Sequence, residues 1–146
     1  MAEVQRSVIV PYSAQEMYQL VDQVKRYPEF MPWCGGASET PIDGNRSHAT
    51  IVIDYHHIRQ SFTTENTKQP PELIEMELRH GPFRRLDGHW RFIPLGEQQA
   101  CKVEFRLHYE FSHKLLEKLV GPVFHRIANS FVDAFTRRAE QIYGKR

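Results

Sequence analysis

Eight histidines, two cysteines and 18 Asp and Glu residues are the side chains here that could carry acid–base, metal or nucleophilic chemistry. Spacing limits what they can do together. His56 and His57 are adjacent and would point to opposite sides of a strand. His48, His80, His89, His108 and His125 are scattered among outward positions, with no HExxH and no carboxylate at ligand spacing. Cys34 and Cys101 stand far apart with no CxxC, which argues against a metal site or disulfide framework. Reduced, buried or half-buried thiols suit a cytosolic chain. The nucleophile-elbow, P-loop and dinucleotide-binding glycine patterns are all missing. The expectation is a protein with no catalytic residue, no metal and no required cofactor.

Cations form a second group. Arg79, His80, Arg84, Arg85, His89 and Arg91 fall on adjoining strands and their turn, with Arg137, Arg138, Lys145 and Arg146 near the end of the chain. Such residues are usually a solvated face. RNA contact needs several of them together and brings steep salt dependence. Lys plus Arg number 19 against 18 for Asp plus Glu, a net charge of +1, so bulk charge points neither to DNA nor to an anionic membrane.

The third group is apolar. Tyr27, Phe30, Met31 and Trp33 crowd one connection together with two prolines, in the run YPEFMPWC. Trp90, Phe92, Phe105, Phe124, Phe131 and Phe135 recur further on at strand and helix spacing. Taken alone, stripes of this kind favour a plain packed core. A ligand cavity between the elements is the alternative.

These side chains need a frame. The chain closes on a helix from His113 to about Tyr143, with Leu116, Val120, Phe124, Ile127, Phe131, Phe135, Ala139 and Ile142 on one stripe. At 1.5 Å per residue that helix spans about 45 Å. Before it, Cys101, Val103, Phe105, Leu107, Tyr109 and Phe111 alternate with polar residues as a half-buried strand. At the other end, Val4 to Val10 reads as a first strand stopped by Pro11. Ser13 with Glu16 forms a capping box for a helix reaching about Lys25, and Tyr27 to Cys34 can be at most a short helical turn. Alternation then continues through Ala37 to Ile42, His48 to Tyr55, Ile58 to Thr67, Ile74 to Arg79 and Leu86 to Phe92. One wet face and one covered face mark an antiparallel meander.

The fold class is therefore α+β, a single domain over 1–146. A curved antiparallel sheet of about six to seven strands wraps the long C-terminal helix, with two short helices after the first strand. The start of the long helix, from Leu115 through Phe124, is apolar round more of its circumference than one sheet needs, and Gly121-Pro122 is expected to interrupt it. The aromatic corner from Tyr27 to Trp33 is expected to cover that end as a gate; a membrane surface and a second subunit are the rivals. No apolar run approaches a signal core or a membrane span. That points to a cytoplasmic protein, touching the inner membrane only peripherally.

The order of elements resembles the helix-grip, START-like superfamily of hydrophobic-ligand carriers and polyketide cyclases. Within it, VPYSAQEMYQLV (Val10 to Val21), YPEFMPWC (Tyr27 to Cys34), GPFRRLDGHWRF (Gly81 to Phe92) and CKVEFRLHYEF (Cys101 to Phe111) resemble the coenzyme-Q-binding family, which includes bacterial ribosome-association toxins and mitochondrial relatives. The resemblance covers almost the whole chain. It implies an apolar tunnel in which Tyr27, Phe30, Met31, Trp33, Trp90, Phe92, Phe105, Phe124, Phe131 and Phe135 contact a ubiquinone-like isoprenoid quinone or another lipid, in support of respiration. It implies, as the alternative, inhibition of ribosome association by binding the large ribosomal subunit, with Arg79, Arg84, Arg85 and Arg91 as RNA contacts. A weaker third reading is a cyclase-like enzyme, for which Asp54 and Glu65 are the carboxylates to inspect; their alternation places both outward.

Overall fold

Ser13 begins the first helix. Its hydroxyl accepts from the Glu16 amide at 3.1 Å, and the Glu16 carboxylate accepts from the Ser13 amide at 2.9 Å, the reciprocal cap that the spacing predicts. In the structure, a computed structural model describing residues 2–96 and 99–146, strand β1 is Ala2–Val10 and helix α1 is Ala14–Asp22. The helix stops at Asp22 rather than near Lys25. The chain tightens there into a 3-10 segment, Val24–Glu29, which carries Pro28 and turns Val24 and Tyr27 into the core.

Seven strands make one antiparallel sheet in the order β1-β7-β6-β5-β4-β3-β2. After β1 these are β2 Cys34–Pro41, β3 Arg46–Tyr55, β4 Ile58–Gln69, β5 Leu73–His80, β6 Phe83–Leu95 and β7 Ala100–Phe111. Every alternating run becomes a strand, and in β7 the residues from Cys101 to Phe111 at odd positions are the buried ones. His56 and His57 do not flank a strand as expected; they form the two-residue turn between β3 and β4, at φ 48° and 67°. Positive φ at both central residues matches the twist of a tight hairpin. At Gly88 of β6 the sheet closes so tightly on β7 that a methyl group would collide with the Arg106 carbonyl oxygen.

Helix α2, Lys114–Tyr143, runs unbroken for 30 residues. The expected interruption at Gly121-Pro122 does not occur, because Pro122 lies on the exposed side, where water can take the place of the hydrogen bond it removes. The helix is tied along β1 by Arg6, which donates to the Asn129 carbonyl at 2.6 Å and pairs with Asp133 at 3.3 Å. At its far end Tyr12 donates to the Gly144 carbonyl at 2.7 Å and Tyr143 to the Glu16 carbonyl at 3.0 Å. The buried stripe widens beyond Ile127, adding Ala128, Val132 and Ala134, because α1 packs on that half. Ile142, expected on the stripe, is exposed.

Candidate functional site

Strands β3 to β7, the 3-10 segment and α2 enclose a small space. Tyr27, Trp90, Phe105, Phe124, Phe131 and Phe135 stand on its wall as expected, joined by Val24, Ala49, Ile51, Phe62, Thr64, Asn66, Met76, Leu86 and Leu107. Phe30, Met31, Trp33 and Phe92 do not reach it. Phe92 packs edge-on against Tyr18 of α1, with centroids 5.5 Å apart, and Met31 is fully buried without lining the cavity. Trp33 lies on Phe131 at 5.5 Å, and Phe30 packs on Phe135 at 5.6 Å with the Arg138 guanidinium 4.8 Å from its ring centre.

The aromatic corner thus covers the second half of α2, not the first. The tight 3-10 segment shortens its reach, so that Glu29 pairs with Arg138 at 2.7 Å. The gate over the start of α2 is overturned: Leu115 and Leu119 stay 67% and 62% exposed, and Phe124 is enclosed by Phe62, Phe83, Tyr109 and Phe111.

The free space measures about 50 Å³. One or two waters fit such a volume, whereas benzene takes a cavity of about 150 Å³. At about 24 cal/mol per Å³, leaving it empty costs only about 1 kcal/mol. The wall is therefore close to the packed core that the residues alone favour, and a ring-sized ligand must displace side chains. Ile51, Met76 and Phe131 are the wall residues that are only partly buried.

Two polar side chains interrupt this wall. Thr64 and Asn66 of β4 are 5% and 6% exposed, and the Thr64 hydroxyl donates to Asn66 Oδ1 at 2.7 Å. The signal was available in the parity of the strand: positions that turn Ile58 and Phe62 inward turn 64 and 66 inward too. One more step along, Lys68 sits 2.7 Å from both Asp22 and Glu39, and Ser47 donates to Glu39 at 2.5 Å. Burial works against the Lys68 charge, but hydrogen bonds to Asp22 and Glu39 outweigh it and hold its pKa above the ordinary value. Tyr27 donates to the Val21 carbonyl at 2.5 Å, and burial raises its pKa, so it stays a neutral phenol. Both cysteines are buried thiols as expected, Cys101 with a pKa pushed up to about 11 by desolvation.

The arginines expected to contact RNA lie outside the cavity and are mostly neutralised. Arg79 pairs with Glu65 at 2.9 Å, Arg84 with Glu110 at 3.0 Å and Arg85 with Asp87 at 2.9 Å. Arg91 is exposed with no ion-pair partner among the described residues. Asp54 and Glu65 face outward, as their alternation requires: Asp54 pairs with Arg59 at 2.9 Å, and Arg79 with Arg46 holds the Glu65 carboxyl below the usual range. Lys114, Lys118 and Arg126, in the first half of α2, have no carboxylate within ion-pair distance among the described residues, and Lys114 and Lys118 flank the exposed Leu115 and Leu119.

A helix laid in a curved antiparallel sheet around an apolar space is an architecture that known proteins share. The family model described as polyketide cyclase/dehydrase and lipid transport matches residues 10–136. This chain belongs to that family. Among its relatives, the ribosome association toxin RatA of Vibrio cholerae is 43% identical over 99% of this chain and 100% of its own length. The mitochondrial coenzyme Q-binding protein COQ10 homolog B of Xenopus laevis is 25% identical over 98% of this chain and 60% of its own. A START superfamily protein from Mycobacterium smegmatis superposes with a TM-score of 0.74 at 20% identity, covering 96% of this chain and 98% of the other. The Zhui aromatase/cyclase of Streptomyces sp. R1128 gives 0.82 at 14% identity, covering 96% and 94%. These two structural likenesses are of fold, and they agree with the START-like helix-grip read from the order of elements. Within the polyketide cyclase and lipid transport family, this chain presents a nearly filled cavity whose wall carries no carboxylate and no histidine among the described residues. Among the described residues no helix is long and apolar enough to cross a membrane.

Proposed function

We propose that this protein binds the large ribosomal subunit and hinders its association with the small one, acting in the cytoplasm by occupancy and not as an enzyme. The observation that carries this reading is the match to a ribosome association toxin across the full length of both chains. Phosphate contact favours cations that are not already committed to carboxylates. That condition supports Lys114, Lys118 and Arg126 of α2 over Arg79, Arg84 and Arg85. Co-sedimentation with purified subunits at low and high salt tests the reading. Binding to the large subunit that weakens steeply with salt is expected, lost in Lys114→Glu/Lys118→Glu and largely kept in Arg84→Glu/Arg85→Glu. No binding to the large subunit at low salt would discard it.

A second reading stands on the cavity: binding of an isoprenoid quinone or another lipid between sheet and helix, in support of respiration and with peripheral contact at the inner membrane. A Thr64–Asn66 pair set in an otherwise apolar aromatic wall supports it. The two activities are compatible in one molecule, since they use different surfaces. Native mass spectrometry of protein purified from its own cytosol, followed by organic extraction, checks the second. A chain that carries no lipid and takes up no added quinone would end it.

A further inference from the structure

Where β1 and β7 meet the first half of α2, the surface opens into a groove of about 610 Å³, within the roughly 300–1,000 Å³ of ligand clefts. Ala2, Phe111, Gly121 and Pro122 give it an apolar floor. Gly121 holds that floor open: a Cβ there would stand 3.7 Å from the Phe111 ring and 3.8 Å from Glu117 Cγ, so a longer side chain would fill the space. Glycine and proline both weaken a helix interior. The one glycine and the one proline of α2 stand side by side at this groove.

Its polar groups are unevenly committed. Glu110 is paired with Arg84 at 3.0 Å, whereas Glu117 has no ion-pair partner among the described residues. The Tyr109 hydroxyl lies 2.9 Å from His125 Nδ1, which leaves Nε2 of that exposed ring for a ligand. Lys114, Lys118, Gly121 and His125 follow one another at steps of four, three and four residues, so the two lysines share the groove's side of the helix, and Arg126 lines the groove itself.

Charge and shape select an occupant. A phosphate or carboxylate on the floor would be set against the Glu117 carboxylate, so the group seated there is neutral, and negative charge belongs at the rim with Lys114, Lys118 and Arg126. An acyl chain would suit the floor but leave Glu117 and His125 desolvated without partners. A nucleobase is flat, uncharged, carries N–H donors on its edge and is joined to phosphates. Among the four RNA bases only guanine offers two adjacent donors, N1–H and the N2 amino group, to the two oxygens of one carboxylate.

Resting on the ribosomal reading, we infer that this groove takes an unpaired guanine splayed out of RNA. Glu117 accepts from its Watson–Crick edge, and Lys114, Lys118 and Arg126 hold the flanking phosphates.

The test uses the full chain and fluorescein-labelled RNA read by anisotropy at low salt: a uridine octamer, the same octamer with one central guanosine, and each annealed to its complement. The wild type is expected to prefer the guanosine strand about tenfold over the uridine strand, the size of one bidentate base contact, and to show no preference between the duplexes. Glu117→Gln should shrink the preference to about twofold or less, and so should Gly121→Leu, which fills the groove; either serves if the other does not fold. Lys114→Glu/Lys118→Glu should weaken both single strands together. A wild type that binds the two strands alike, or a preference that survives both groove variants, would overturn the assignment, while salt-sensitive co-sedimentation with the large subunit would leave the ribosomal reading standing. Binding to phosphatidylglycerol vesicles that Gly121→Leu abolishes, with no base preference in RNA, would give the groove to a lipid surface instead. A wild type that binds neither RNA nor the large subunit would overturn the ribosomal reading itself.

Discussion

The Lys68 ammonium lies 2.7 Å from Glu39 Oε2, joining β4 to β2 across the covered face, and the same nitrogen reaches Asp22 at the end of α1. One cation therefore fastens three elements beside the cavity. Its side chain is 19% exposed and that of Glu39 15%, so removing it strands two half-buried carboxylates near each other. Lys68→Met is expected to lower stability by about 2 kcal/mol, seen as a lower urea midpoint at unchanged slope. Loss of less than about 0.5 kcal/mol would mean that water replaces the lysine.

Glu16 ties the start of α1 to the chain end. A hydrogen bond from Arg146, aided by the Ser13 amide, holds its carboxyl below the ordinary range despite some burial. A depressed carboxyl pKa contributes stability that is present above the unfolded value, about 4.3, and is lost as pH falls through the folded value. Glu16→Gln should therefore be less stable at neutral pH but show a shallower decline below about pH 4.3. Parallel acid-unfolding curves for the two proteins would contradict this.

Gly88→Ala places a methyl against the Arg106 carbonyl and the Leu107 backbone. Neither β6 nor β7 can yield without breaking its register, so a loss of more than about 2 kcal/mol is expected. Thermal unfolding at an unchanged midpoint would show that the strands separate freely there.

Gly121 and Pro122 behave oppositely to Gly88. An added Cβ at Gly121 finds its nearest neighbours at 3.7 and 3.8 Å, ordinary contact, and Pro122 is exposed within a continuous helix. Gly121→Ala should stabilise by about 0.5–1 kcal/mol, and Pro122→Ala by a similar amount or more through the restored hydrogen bond. A midpoint a few degrees higher for each checks this; a lower one would restore the hinge that proline in a helix suggests.

Local pattern made most of the architecture legible. The Ser13–Glu16 cap, the strict alternation of Cys101 to Phe111 and the helical stripe from Val120 to Ala139 are set by neighbours two to four residues apart, and all three stand in the structure. Part of the wall followed in the same way: Trp90 and Phe105 stand on the covered faces of their strands, as the alternation requires. The parity of β4 held Thr64 and Asn66 as well, hidden because polar residues at inward positions are easily taken for the solvent side.

What tertiary structure alone decided is which surfaces meet and what they leave open. The aromatic corner was plain in Tyr27 to Trp33, but where it lands depends on the 3-10 turn that opens it, and it landed on Phe131 and Phe135 instead of Leu115 and Leu119. The clustered arginines were equally plain, but two of their carboxylate partners come from other strands, Glu65 to Arg79 and Glu110 to Arg84. Cavity volume is the extreme case. It is the small difference between a large enclosed space and the side chains that fill it, so no residue's identity sets it until all of them are placed.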